Sequence, residues 1–200
     1  MIHDHDRSGW FGASDTAAIM GRWDTKTFRS FWLQKLGVNR DHFSTLEMDT
    51  GSAYEHRILE YIGIRKMDRQ IKIRRLRLRV NLDGEDAQEI SEVKTHKGES
   101  FKVSRAYWMQ AQVEMFAAKK ALRIVAYHLE PEDYRNWFRE IEDDRLSYHP
   151  IPYDREWIEG EYLPRLRYLA KCLRKGVIPC LLYTSPSPRD STSSRMPSSA

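Results

Sequence analysis

Cysteine is nearly missing: two occur in 200 residues, and Cys180 falls in a C-terminal stretch set aside below. The remaining thiol, Cys172, can close no intramolecular disulfide and build no thiolate metal site. A disulfide scaffold and an iron–sulfur protein are therefore excluded, and a reducing compartment is expected. Long hydrophobic runs are missing too. The most apolar stretch, Leu122 to Leu129, is far shorter than the roughly 20 residues that cross a bilayer, and the start, MIHDHDRSGW, lacks the apolar core of an export signal. Nor does one sign of charge dominate, since 33 Lys and Arg against 29 Asp and Glu give a net +4, mildly basic rather than histone-like. No internal repeat is present. These absences leave a soluble, intracellular globular chain of a length that suits one domain.

The end of the chain does not read as ordinary protein. Cys180 to Asp190 (CLLYTSPSPRD) matches the in-frame translation of a transposase-type sequencing adapter, and Ser194 to Ala200 (SRMPSSA) matches its continuation. Residues 180–200 are therefore expected to be adapter read-through without a fold, and residues 1–179 the domain, with a gene product that continues past Pro179.

Hydrophobic spacing divides the domain into elements. Asp15 to Met20 predicts a short helix capped by Ser14 and stopped by Gly21. Asp24-Thr25 opens a second helix whose Phe28, Phe31, Trp32 and Leu36 share a face, closed by Gly37. Residues 38–48 read as a loop, and Ser52 to Ile62 as a third helix that puts Glu55 on the core-facing side with Ile58, Leu59 and Ile62. Ile71 to Asp83 alternates and predicts one strand, with Leu76, Leu78, Val80 and Leu82 on its apolar face. Asp83-Gly84 is expected to start a turn into a second strand, Glu89 to Thr95, completing a hairpin. Then come a helix from Ser104 to Lys120, a strand at Leu122 to Leu129, another at Trp137 to Ile141, and a long helix from Asp154 to Lys175 with Gly176 as its stop. This order predicts an α/β fold, a mixed central β-sheet flanked by helices.

Three carboxylates and one amine carry the chemistry. Glu55 lies on a helix, Asp83 at a strand end, and Glu92 and Lys94 on one face of the next strand, because strand side chains repeat every second residue. Carboxylates so placed are hard oxygen donors suited to magnesium or manganese. An ammonium beside them can activate water and offset charge developing on a phosphate. A charged pair at i, i+2 on a strand is usually a solvated face, so the pair alone decides nothing. His3 and His5 sit in a polar arm and read as solvent-facing.

The order Gly51-x-x-x-Glu55, Leu82-Asp83-Gly84, Glu92-Val93-Lys94 and Tyr107-Trp108-Met109-Gln110-Ala111-Gln112 resembles the PD-(D/E)xK nucleases, and among them the phage lambda exonuclease family, or YqaJ-type viral recombinases. The resemblance covers nearly all of residues 7–179 and implies the restriction-endonuclease-like core. It implies a Mg2+ (or Mn2+) site made by Asp83, Glu92 and the Val93 carbonyl, with Glu55 reaching the ion through water. Lys94 would activate the nucleophile, and Gln110 would orient water and Lys94. Helical periodicity does not choose between Gln110 and Gln112; the resemblance chooses Gln110. One departure is Val80-Asn81-Leu82 where the family usually carries proline before the motif aspartate.

At the front, Arg7-x-Gly9-x-x-x-Ala13-Ser14-Asp15 resembles the segment whose arginine and serine hold the 5′-phosphate of DNA, which a helix start can favour through its free amides. Arg69, Lys72, Arg74, Arg75, Arg77 and Arg79 crowd into eleven residues. Beside a nuclease centre they become a candidate phosphate track, with Arg74, Arg75, Arg77 and Arg79 on the DNA backbone. The acidic stretch from Glu130 to Asp144 should face away from DNA.

The activity implied is magnesium-dependent 5′→3′ digestion of double-stranded DNA in phage or prophage recombination, in the bacterial cytoplasm. It would leave a 3′ single strand for an annealing protein, and the family's ring-shaped homotrimer is an expectation of the same kind. Two alternatives share these residues: a restriction- or repair-type endonuclease, and a DNA-binding module without catalysis.

Overall fold

The computed structural model describes residues 8–38 and 45–180. Arg7, His3, His5 and residues 181–200 of the adapter-like stretch lie outside the described residues.

A 3-10 turn, Ala13–Asp15, leads into α1 (Thr16–Met20). The turn is capped by Gly12 and α1 by Asp15, not by Ser14. The Asp15 carboxylate accepts from the Gly12 amide at 2.6 Å, and Ser14 sits exposed inside the turn. Next, α2 (Lys26–Lys35) starts as expected, with the Thr25 hydroxyl accepting from the Phe28 amide. The third helix, α3 (Leu46–Tyr61), begins six residues ahead of the expected Ser52, capped by Thr45. Its first turn exposes Leu46 and Met48, so periodicity carries no signal there.

The expected single strand from Ile71 to Asp83 is two strands. β1 (Lys66–Ile73) is followed by a 3-10 turn, Arg74–Leu76, and by Arg77 in the left-handed region at φ 51°. The chain then returns as β2 (Leu78–Glu85), antiparallel to β1. The apolar alternation survives the reversal because Ile71 and Ile73 pack on the same cluster as Leu78, Val80 and Leu82. Asp83-Gly84 is not a turn but part of β2, with Gly84 paired to both Met67 and Ser91. The turn lies beyond Glu85, where Asp86 accepts from the amides of Gln88 and Glu89. Here β3 (Glu89–His96) begins, and α4 (Arg105–Ala118), capped by Ser104, crosses to β4 (Ala121–His128), parallel to β3.

The expected strand Trp137 to Ile141 is irregular chain, and the fifth strand is instead β5 (Leu146–Ile151), antiparallel to β4. Residues 137–141 are tied down from outside: Arg57 donates to the Trp137 and Arg139 carbonyls. The final helix is one rod in three parts, α5 (Arg155–Trp157), a π-helical turn (Ile158–Tyr162) and α6 (Leu163–Lys175), ending at Gly176 with φ 64°.

The mixed sheet has the order β1-β2-β3-β4-β5. One face carries Leu78, Val80, Leu82, Ile90, Leu122 and Ile124 against aromatic residues of α2 and the apolar faces of α4 and α6. The other packs Val93, Val125 and Tyr127 against Tyr54, Ile58 and Leu59 of α3. Each large apolar side chain so buried contributes about 1.5–3 kcal/mol. Two glycines set how α3 lies on the sheet. A Cβ on Gly84 would meet Leu59 at 2.6 Å, and one on Gly51 would meet the Thr95 hydroxyl at 3.1 Å. The helix therefore rests on β2 and β3 themselves, which brings Glu55, one turn after Gly51, beside both strands.

Buried ion pairs tie the edges. Glu85, at 1% exposure, is surrounded by Lys66, Arg69 and Lys120. Asp133, fully buried, accepts from the Tyr54 hydroxyl at 2.7 Å and pairs with Arg139 and Arg145. Among the described residues no helix is long and apolar enough to cross a membrane.

Candidate active site

The site is built where two strands part. β2 and β3 share only two register pairs, Gly84 with Ser91 and Glu85 with Ile90. Beyond them the Asp83 side chain fills the gap, its Oδ2 accepting from the Val93 amide at 2.9 Å. The N–H and C=O of one strand residue point to the same edge, so the Val93 carbonyl also faces this gap.

Glu92 and Lys94 share a face of β3, and Lys94 Nζ donates to Glu92 Oε1 at 2.7 Å. α4 covers that face and sets Gln110 over it, where Nε2 donates to Glu92 Oε1 at 2.5 Å. Gln112 is elsewhere: wholly buried, it donates to the Pro152 carbonyl and accepts from the Asp154 amide, pinning the chain ahead of α5. The structure thus joins Glu92, Lys94 and Gln110 by hydrogen bonds and ties Asp83 to the Val93 backbone, with Asp83 and Glu55 in the electrostatic field of Glu92 and Lys94.

The electrostatics are those of an anionic cluster short of positive charge. Burial, and then the charges of Glu92 and Glu55, push the Asp83 carboxyl well up from its ordinary value. Glu55 rises to about 6, first through burial and then through Glu92. For Lys94 burial acts downward, but the charges of Glu92 and Asp83 and the bond to Glu92 outweigh it, so the amine stays protonated. Glu92 Oε2 is buried and has no hydrogen-bond partner among the described residues. A buried carboxylate oxygen without a donor is costly, and a hard divalent cation is the group that such a set of oxygens accommodates. The donor set therefore fits magnesium or manganese.

Two features escaped the sequence reading. Glu114, fully buried on α4, lies one turn beyond Gln110 and accepts from its Nε2 at 2.8 Å. Its signal was a lone carboxylate inside the apolar run Ala111–Ala118. His56 and Asp68 also gather at Glu55, their ligand atoms and its own lying within 4.8 Å of one another. Asp68 belongs to β1, which the sequence reading did not separate from β2.

The basic run is dispersed by the turn at Arg74–Leu76. Arg74 and Arg75 are exposed there, whereas Arg77 is half-buried with its guanidinium 5.7 Å from the Trp10 ring centre. Arg79 does not join them. At 7% exposure it is buried in β2, where the backbone of Phe11 covers the strand by bonding both the Arg77 carbonyl and the Arg79 amide. Arg69 is spent on Glu85. On one continuous strand Arg75, Arg77 and Arg79 would share a face, and the turn separates them.

No protein-family model matches the chain, and no curated protein does. Solved structures do. An alkaline exonuclease from Laribacter hongkongensis superposes with a TM-score of 0.57 at 17% identity, over 85% of this chain and 94% of that one. A phage-related exonuclease from Haemophilus somnus 129PT superposes with a TM-score of 0.59 at 13% identity, over 84% of this chain and 96% of that one. The five-stranded mixed sheet with flanking helices is the fold that this chain shares with both.

Proposed function

We propose that this chain is a metal-dependent nuclease of the lambda-exonuclease type, which digests linear duplex DNA from the 5′ end and leaves a 3′ single strand. The observation that carries the reading is the meeting of Asp83, Glu92, Lys94 and Gln110 where β2 and β3 part, in a fold shared with two exonucleases.

Asp83, Glu92 and the Val93 carbonyl would hold magnesium or manganese, which when bound supplies Lewis-acid polarisation of the scissile phosphate and a more acidic attacking water. The residues do the rest. The Val93 amide fixes the Asp83 carboxylate from behind. Lys94 keeps its charge close to the reacting phosphate, where an ammonium stabilises the negative charge that grows during attack. Glu55, on α3 beside both strands, would reach the bound cation through water. Gln110 holds Glu92 in place by its amide. Exposed Lys72, Arg74 and Arg75 would offer phosphate contacts beyond the centre, and Arg7 with exposed Ser14 would take the terminal 5′-phosphate. An annealing protein as recipient of the 3′ strand, and a ring of three copies around DNA, complete the reading by resemblance to the lambda exonuclease family.

Linear duplexes labelled separately at each 5′ and 3′ end test it, with closed circular DNA alongside. Release of the 5′ label first, with circles left intact, supports the proposal. Cutting of closed circles favours an endonuclease, and binding of DNA without cleavage favours a non-catalytic module.

A further inference from the structure

We propose that Glu114 is a positioning residue of this centre, locking the Gln110 carboxamide so that its nitrogen, and not its oxygen, faces Glu92. The inference rests on the nuclease reading above and extends it to a residue outside the PD-(D/E)xK pattern.

Glu114 follows Gln110 by four residues, and positions i and i+4 lie one above the other on a helix. Its side chain is wholly buried. A carboxamide nitrogen has two hydrogens, and here they go to two acids: Nε2 lies 2.5 Å from Glu92 Oε1 and 2.8 Å from Glu114 Oε1. With one acid alone, a flipped amide would lose a single bond. With two, the flip would give up both of these bonds at once, so the present orientation is the favoured one.

Glu114 has no cation of its own among the ion pairs of the described residues, and its Oε2 is buried without a partner there. An apolar side chain of that size would occupy the same buried position at no desolvation cost. The carboxyl thus weakens the fold locally, and the bond that it makes lies within the cleavage centre.

The test is a double-mutant cycle on the full chain with Glu114→Met, Gln110→Met and the pair. Glu114→Met keeps the length and removes the acceptor, whereas Glu114→Gln keeps an acceptor oxygen. Digestion of linear duplex at saturating Mg2+ should show kcat lowered about tenfold by Glu114→Met with KM for DNA little changed, and largely restored in Glu114→Gln. In the Gln110→Met background, Glu114→Met should add less than about a twofold loss, because residues that act through one another are not additive. A second readout needs neither metal nor turnover. The side-chain amide signals of Gln110 in nuclear magnetic resonance should exchange slowly with solvent in the unmutated protein and in Glu114→Gln, and fast in Glu114→Met.

Equal losses from Glu114→Met in both backgrounds, or a Gln110 amide equally protected in all three proteins, would overturn the inference while leaving the nuclease reading intact. An unmutated protein that cleaves no DNA, yet shows the expected amide protection, would overturn the nuclease reading and with it the catalytic meaning of the lock.

Discussion

The Val93 amide donates to Asp83 Oδ2 across 2.9 Å, at the point where β2 and β3 stop pairing. A backbone donor that would otherwise serve a sheet ladder is given to a carboxylate. This single contact relates three expected metal ligands, since Asp83 accepts it, Val93 supplies it, and Glu92 precedes Val93 on the strand.

The first prediction sets activity against stability. Asp83→Asn and Glu92→Gln should lower cleavage by about a thousandfold or more, because each removes charge from the cation site. In the metal-free protein Asp83→Asn should raise Tm at pH 8, because Asp83 is held well above its ordinary range by burial and by Glu92 and Glu55. Thermal melts in a chelator check this, and a lowered Tm would contradict it.

The second concerns pH without metal. Glu55 has a folded value of about 6 against an ordinary 4.5. A carboxyl raised on folding binds more protons in the native state, so its contribution to stability is full below the unfolded value and lost as pH rises through the folded one. Metal-free stability should fall between about pH 4.5 and 6, and Glu55→Gln should flatten that slope. Urea midpoints across this range measure it. A slope unchanged in the variant would contradict the burial of Glu55 among the other carboxylates.

The third lies away from the site. Burial acts upward on Asp133, but its bonds from Tyr54, Glu130 and Arg145 outweigh this and hold it below its ordinary range. Its contribution is therefore present above the unfolded value, near 3.8, and lost as pH falls through the lower folded one. Asp133→Ala removes the nearest carboxylate of buried Arg145, leaving only the longer pairs to Glu130 at 3.7 Å and Glu142 at 3.6 Å, and takes the acceptor from the Tyr54 hydroxyl, so it should cost about 3–5 kcal/mol. Chemical denaturation checks the magnitude, and a loss under about 1 kcal/mol would show that the cluster is dispensable.

What was legible in the sequence follows from where the signals were local. Thr25, Ser104 and Gly176 marked helix ends because capping is read within four residues. Glu92 and Lys94 were legible because a strand fixes their shared face. The reversal at Arg74–Leu76 was not, because Arg77 is the left-handed residue where glycine or asparagine would have announced a turn, and alternation continued on both sides. β5 was missed because His149 and Pro150 dilute its pattern, while Trp137 and Phe138 mimic a strand but are exposed. Ser14 looked like a cap by type, and Gly12 with Asp15 took that place by geometry.

The fourth prediction uses that last difference. Ser14 is exposed and caps nothing, so Ser14→Ala should leave Tm within about a degree. Our reading gives Ser14 and Arg7 to the DNA 5′-phosphate, so Ser14→Ala and Arg7→Ala should each shrink the rate advantage of 5′-phosphorylated over 5′-hydroxyl duplex. Arginine matters more, because its planar fork makes two charge-assisted bonds to one phosphate. Equal rates on both ends in the unmutated protein would remove this role from both residues.

The most direct measurement is the rate of nucleotide release from linear duplex DNA with Mg2+ and with a chelator, for the unmutated chain and for Lys94→Ala, each checked for Mn2+ binding by calorimetry. Release should require the cation and vanish in Lys94→Ala, while that variant still binds Mn2+, because Lys94 adds positive charge beside the ligands and is not one of them. Release that persists in the chelator, or that Lys94→Ala leaves near the unmutated rate, would contradict a metal-dependent centre at Asp83, Glu92 and Lys94.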